Sequence, residues 1–268
     1  MRTSLFVAAV LVAIGVGSPS ANAVVIKIDF GRHDGGVNGQ VTANPDVNGN
    51  YWNSLYGNGE PTGVFNAGYT ASLISTTNAA TSVVLTTTTA WAANGYQNGG
   101  LQNPSAARLG DFAIETATRD YWFGQASSGR TDTKFDLSGL DPALTYNFRI
   151  FGSRGTTETR VSQYTLTGLN TVSTTLQTSG ADIGSGPDVN TGGVASNGSG
   201  TYDGNDNTIA ALNGVKPTAA GVISFTNHVQ TSDFAYVNIM EITSAPEPAS
   251  VGVIGAFGML LLGRRRRC

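Results

Sequence analysis

The run Thr81–Thr89 (TSVVLTTTT) does most to limit what this chain can become. Seven of its nine residues are β-branched, which crowds a helical turn but suits a pleated, half-buried surface. The same chemistry recurs along the body. Val24–Phe30 (VVIKIDF) alternates strictly, with Val25, Lys27 and Asp29 on one face and Ile26, Ile28 and Phe30 on the other, and the apolar face is expected in the core. Leu144, Tyr146, Phe148 and Ile150 alternate in the same way against Thr145, Asn147, Arg149 and Phe151. Further strands are expected at 64–70, 72–76, 108–116, 120–124, 134–137, 159–166, 171–177, 207–212, 221–226 and 234–243. About a dozen short strands joined by Gly/Asn turns, with no helical periodicity, predict an all-β chain. Its expected form is a single β-sandwich, jelly-roll-like, over residues 24–245.

That body contains no cysteine, so burial and hydrogen bonding must hold it without disulfides. It carries ten basic against seventeen acidic residues, a sign that argues against a nucleic-acid partner. Two Gly/Asn-rich stretches interrupt it. Residues 31–56 form an expected long loop holding His33, Asp34, Tyr51 and Trp52, and Gly180–Asp206 reads as a low-complexity, mobile loop.

The ends of the chain read as addresses. Met1–Ala23 has the order of a secretory signal peptide: Arg2, a twelve-residue apolar stretch Leu5–Val16, and Ala21-Asn22-Ala23 as cleavage site. It implies passage through the Sec translocon. At the other end stand Pro246-Glu247-Pro248, an apolar run over 249–263, and Arg264, Arg265, Arg266 and Arg267. The prolines enforce an extended, non-helical linker. A helix over the apolar run would cover only about 22 Å, short of the roughly 30 Å hydrocarbon core, and the arginines compensate by snorkelling and holding that end in the cytoplasm. This arrangement of Pro246, Glu247 and Pro248, short helix and basic end resembles the PEP-CTERM sorting signal of Gram-negative bacteria. The resemblance implies an exosortase as partner, transient inner-membrane anchoring, and release to the cell surface or beyond. It spans residues 246–268 and specifies a route, not an activity.

The body has likenesses of its own. Leu140-x-Pro142-x-x-x-Tyr146 resembles the tyrosine corner of fibronectin type III domains, in which the hydroxyl bonds back to the backbone upstream. Ile28-Asp29-Phe30-Gly31, the Tyr146 segment and Tyr236–Ile242 (YVNIMEI) together resemble galactose-binding-like and malectin-like jelly rolls, many of which bind carbohydrate.

Chemistry is harder to locate. No G-x-S-x-G elbow is present, and only His33 and His228 are available to serve as a base, so no catalytic residue is singled out. Asp46-x-Asn48-x-Asn50 and Asp203-x-Asn205-x-Asn207 alternate short oxygen ligands as calcium loops do. Both lack the Gly and the bidentate Glu of an EF-hand, having Tyr51 and Thr208 at the sixth position and Gly57 and Gly214 at the twelfth. They are weak Ca²⁺ candidates beside their ordinary use in turns. Tyr51 and Trp52, and Tyr121, Trp122 and Phe123, offer flat faces for a sugar ring, with Asn53 and Arg154 as donors to hydroxyls; adjacent strand aromatics point to opposite sides, so one of each pair is expected in the core, and Trp52 is the residue expected to stand exposed. Three functions remain open: a non-catalytic exported surface or matrix protein, a polysaccharide-binding module of the same fold, and a secreted hydrolase with two carboxylates meeting in space.

Overall fold

A computed structural model describes residues 23–32, 38–56, 64–187 and 200–246. The expected signal peptide up to Asn22, His33, Asp34, Glu247, Pro248, the apolar run 249–263 and Arg264–Arg267 lie outside the described residues. Among the described residues no helix is long and apolar enough to cross a membrane.

Among the described residues fifteen strands follow one another: β1 (Val25–Phe30), β2 (Asn53–Leu55), β3 (Val64–Phe65), β4 (Thr70–Ile74), β5 (Ala80–Thr87), β6 (Trp91–Asn94), β7 (Tyr121–Gln125), β8 (Asp132–Ser138), β9 (Leu144–Phe151), β10 (Arg160–Thr167), β11 (Thr171–Ser179), β12 (Ala210–Val215), β13 (Ile223–Thr231), β14 (Phe234–Val237) and β15 (Ile239–Pro246). They make a five-stranded sheet β12-β9-β15-β1-β2, a six-stranded sheet β11-β10-β13-β8-β5-β4 and a four-stranded sheet β14-β7-β6-β3. The first two face each other as an all-β sandwich. Ile26, Ile28, Phe30, Phe148, Ile150 and Met240 of one sheet share a single buried cluster with Leu85, Phe135, Leu137, Tyr164, Leu166 and Phe225 of the other, and Trp91 and Trp122 of the third sheet join it. The alternation along β1 and β9 therefore identifies the inward face as expected. The Tyr146 hydroxyl accepts the Asp141 backbone N–H at 2.9 Å, closing the corner that the sequence spacing predicts.

Three expectations are corrected. Residues 108–116 are not a strand: short helices form at Ala106–Leu109 and Glu115–Thr118 with a 3₁₀ turn Gly110–Phe112 between them. Leu109, Phe112 and Ala117 then turn to one side and, with Trp52, Leu101, Phe151, Tyr202 and Ile239, build a second apolar cluster on the outer face of the five-stranded sheet. The span 234–243 breaks into β14 and β15 at Asn238, whose amide donates to the Thr118 and Asp120 carbonyls and accepts the Ser153 N–H. The described arms of the low-complexity segment 180–206 are anchored, since Asp206 accepts from Ser185 N, Gly186 N and Arg108 Nη1.

β1 and β15 lie side by side and antiparallel, with Val25 opposite Thr243. Val24 N donates to Ser244 Oγ at 2.8 Å, and β15 runs on to Pro246. Both ends of the described body thus leave from one pole of the sandwich.

Candidate functional site

β7 and β14 pair with Phe123 opposite Tyr236, which puts Tyr121, Phe123, Phe234 and Tyr236 on one face and sends Trp122 into the core. The four rings form a continuous patch. Tyr121 meets Tyr236 edge-on at 5.0 Å, and Phe123 lies 5.9 Å from Phe234 and 6.0 Å from Tyr236. Phe123 and Phe234 remain half-buried, so the patch opens to solvent.

Two arginines reach it, Arg154 from the segment after β9 and Arg160 from the first position of β10. Arg154 donates from Nε to the Asn98 carbonyl at 2.7 Å and approaches the Tyr236 hydroxyl at 3.5 Å through Nη1. Arg160 lies over the Phe234 ring at 4.2 Å and donates to the Tyr236 hydroxyl. Arg160 is paired with Glu158, whose other oxygen accepts from Ser232. Arg154 has no carboxylate within ion-pair range among the described residues. Asn94, Tyr121, Phe123, Arg154, Phe234 and Tyr236 enclose a cavity of about 160 Å³. Burial drives the Tyr121 and Tyr236 hydroxyls above their usual ionisation range, against the pull of Arg154, so both stay neutral. Burial also opposes the charge of Arg154, and the two tyrosines outweigh it, leaving the guanidinium above its ordinary value.

Of the residues that the sequence marks for sugar contact, Tyr121, Phe123 and Arg154 line this cleft, and Tyr51, Trp52, Asn53 and Trp122 do not. Trp52, expected exposed, is buried: Asn44 clamps its backbone, and its indole N–H donates to Asp46 Oδ2 at 2.7 Å. Tyr51 is half-buried beside it. Asn53 is bound to the Lys27 and Ile74 backbone in β2. Trp122 fills the core and donates to the Gly31 carbonyl. Phe234, Tyr236 and Arg160 were not marked, because the alternation of β14 names a face but not its neighbours.

The calcium candidates keep their oxygens for the fold. Asp46 Oδ1 accepts the Asn48 and Asn50 N–H groups, an Asx turn, while its other oxygen holds Trp52. Asp203 Oδ1 accepts Asp182 N, Asn205 Oδ1 accepts Thr208 N, and Asn207 is tied to Ser185. Among the described residues no three His, Cys, Asp or Glu side chains are grouped to hold a metal ion. His228 pairs with Asp132 across β13 and β8, exposed.

The polar face of β1 makes a second site-like cluster. Lys27, fully buried, bonds Asp111 at 2.5 Å and lies 3.7 Å from Glu241, while Arg149 joins the same two acids at 3.2 and 3.0 Å. Further along the strand Asp29 accepts from Thr42 and Ser54, and burial lifts its pKa to about 7. Asp120 accepts from Arg32 N and Gln40 N, and burial with the nearby Asp29 charge lifts it well above the ordinary carboxylate value. Gly31 and Gly39 close over that carboxylate; a Cβ on either would come within 2.7 or 2.6 Å of its Oδ2. The pair is sealed.

What the fold and cleft define is an all-β sandwich with one arginine-floored aromatic cleft. No protein-family model matches the chain, and no curated protein matches it significantly.

Proposed function

We propose that this is an exported, non-catalytic cell-surface or extracellular-matrix protein with a jelly-roll body, sorted by an exosortase through a PEP-CTERM signal. It crosses by the Sec translocon, is held for a time in the inner membrane by a helix over 249–263 with Arg264–Arg267 inside, and is then released. The observation that carries this reading is the order of Pro246-Glu247-Pro248, apolar run and arginines behind a secretory leader. The side-by-side exit of β1 and β15 supports it, since a body whose ends share one pole can fold while tethered there. Cell fractionation with and without exosortase, reading the mass of the C-terminus, tests it. A shortened species at or beyond the surface is expected only with the enzyme; an intact arginine-tailed form in the inner membrane of both strains overturns sorting.

The aromatic cleft favours a second reading, a carbohydrate-binding module for extracellular polysaccharide. Rings on a solvent-open face with polar donors beside them are what saccharide recognition requires. A hydrolase is the weaker choice, because Asp29 and Asp120 are fully buried and neither lines the cleft.

A further inference from the structure

The hydrogen-bonding inventory of the cleft is one-sided. Asn94 Oδ1 is occupied by Asn38 Nδ2 at 2.6 Å and Gly95 N at 3.1 Å, which fixes the amide and leaves its Nδ2 as a donor without a partner among the described residues. The Tyr236 hydroxyl accepts from both arginines, so its own proton remains to donate. Arg154 adds a cation with no carboxylate within ion-pair range among the described residues; Glu158 feels its charge only at longer reach. The acceptor nearby, Glu158, is engaged by Arg160 and Ser232. A cleft that offers only donors and an unpaired guanidinium is matched to an anion, and its half-buried phenylalanines are matched to the C–H face of a ring. Its volume equals that of about five waters, room for one ring and not for a folded segment.

We propose that this cleft binds a carboxylate-bearing sugar ring, a hexuronate unit of an acidic extracellular polysaccharide, with Arg154 holding the carboxylate and Phe123 and Phe234 flanking the ring. This rests on the polysaccharide-binding reading above and deepens it. The body's negative net charge repels a polyanion at long range, so the attraction has to come from the cleft itself and should strengthen as salt screens that repulsion.

The test uses the full-length protein in mild detergent, titrated calorimetrically at low and moderate salt. The probes are polygalacturonate, its carboxyl-reduced neutral derivative, and polyglutamate as an acidic peptide. Saturable binding to polygalacturonate is expected, weaker by about tenfold or more for both other polymers and for Arg154→Gln, with Arg154→Lys in between. Equal binding of the carboxyl-reduced polymer leaves a carbohydrate module standing and overturns the acidic class. Equal binding of polyglutamate overturns the sugar. Absence of binding to every polymer overturns both the module and this inference. If near-ultraviolet circular dichroism shows that Arg154→Gln is misfolded, Phe123→Ala decides, and undiminished polygalacturonate binding by that variant overturns the assignment.

Discussion

Lys27 and Arg154 are both basic side chains drawn among aromatic rings, and they end in opposite electrical states. Lys27 lies near the Trp52 and Phe112 rings at 5.1 and 5.4 Å, but it is also opposite Glu241 in the β1–β15 register and against Asp111. Glu241 is in turn opposite Arg149 on β9, so the charges cross three strands as a closed ladder. Arg154 has its rings and the Asn98 carbonyl, and no acid within ion-pair range among the described residues. Closed charges of the first kind fix how the layer of residues 101–120 seats on the sheet. An open charge at a solvent-accessible cleft is left for something else.

The largest effect should come from cutting the ladder. Lys27→Ala leaves Glu241 buried with one fewer cation, and loss of a buried ion-pair partner costs about 3–5 kcal/mol. Lys27→Met, which keeps the packing, should lose less. Arg154→Ala removes a charge that makes no ion pair and acts on Glu158 only from a distance, and the Asn98 carbonyl keeps its bond from the Tyr121 hydroxyl, so about 1 kcal/mol is expected. Urea unfolding of the three variants in parallel measures this. Equal losses for Lys27→Ala and Arg154→Ala would break the comparison.

Protonation probes the same layer. Asp29 has a folded pKa of about 7, above its ordinary carboxylate value, so between those limits the native state binds more protons than the unfolded chain. Stability should therefore fall as pH rises from about 4 towards 7, and Asp120 contributes with the same sign. Below the carboxylate range the slope reverses. Asp111, where Lys27 and Arg149 outweigh the opposing effect of burial, loses its pairs as it is protonated. Thermal melting across pH 3–8 should give a maximum on the acidic side of neutrality. Asp29→Asn, which keeps an acceptor for Thr42 and Ser54, should flatten the neutral limb. An unchanged slope in that variant would remove Asp29 from the account.

Trp52→Phe is expected to cost about 1–2 kcal/mol, because a buried bond to a carboxylate is lost while the ring volume largely remains. Polysaccharide binding should be unaffected. A loss of binding there would move the recognition surface away from the cleft.

The sequence exposes the inward face of β1, the corner at Tyr146 and the strand around Val83, because each depends on period-two alternation or on a spacing within a few residues. It does not expose that the polar face of β1 is also covered. Lys27 and Asp29 read as solvent-facing until Leu109, Phe112 and Ala117 fold over them, and that layer takes helical turns where the local residues read as a strand. Trp52 failed for a related reason: a Gly/Asn-rich loop suggests exposure, yet Asn44 and Asp46 use their side chains to fold the loop around the indole. The cleft is assembled from positions as distant as Arg154 and Tyr236, 82 residues apart. The sequence marks Tyr121, Phe123 and Arg154, but nothing in their own neighbourhoods announces that they meet, or that Arg154 has no ion-pair partner among the described residues.

Glu158 offers the smallest change in stability and the sharpest question. Its side chain is about half exposed, so its pairing with Arg160 is screened, and Glu158→Gln should shift stability by less than about 1 kcal/mol. Arg160 would keep its bond to the Tyr236 hydroxyl and its place over Phe234. Its charge, however, would become as open as that of Arg154. Two uncompensated guanidiniums around one cavity should raise affinity for a carboxylate-bearing polymer several-fold and steepen the salt dependence, since the added attraction is partly solvent-exposed. Titration of polygalacturonate at two ionic strengths reads both quantities. If Glu158→Gln binds as the parent does, local charge balance does not govern the cleft, and the contrast between Lys27 and Arg154 loses its functional meaning.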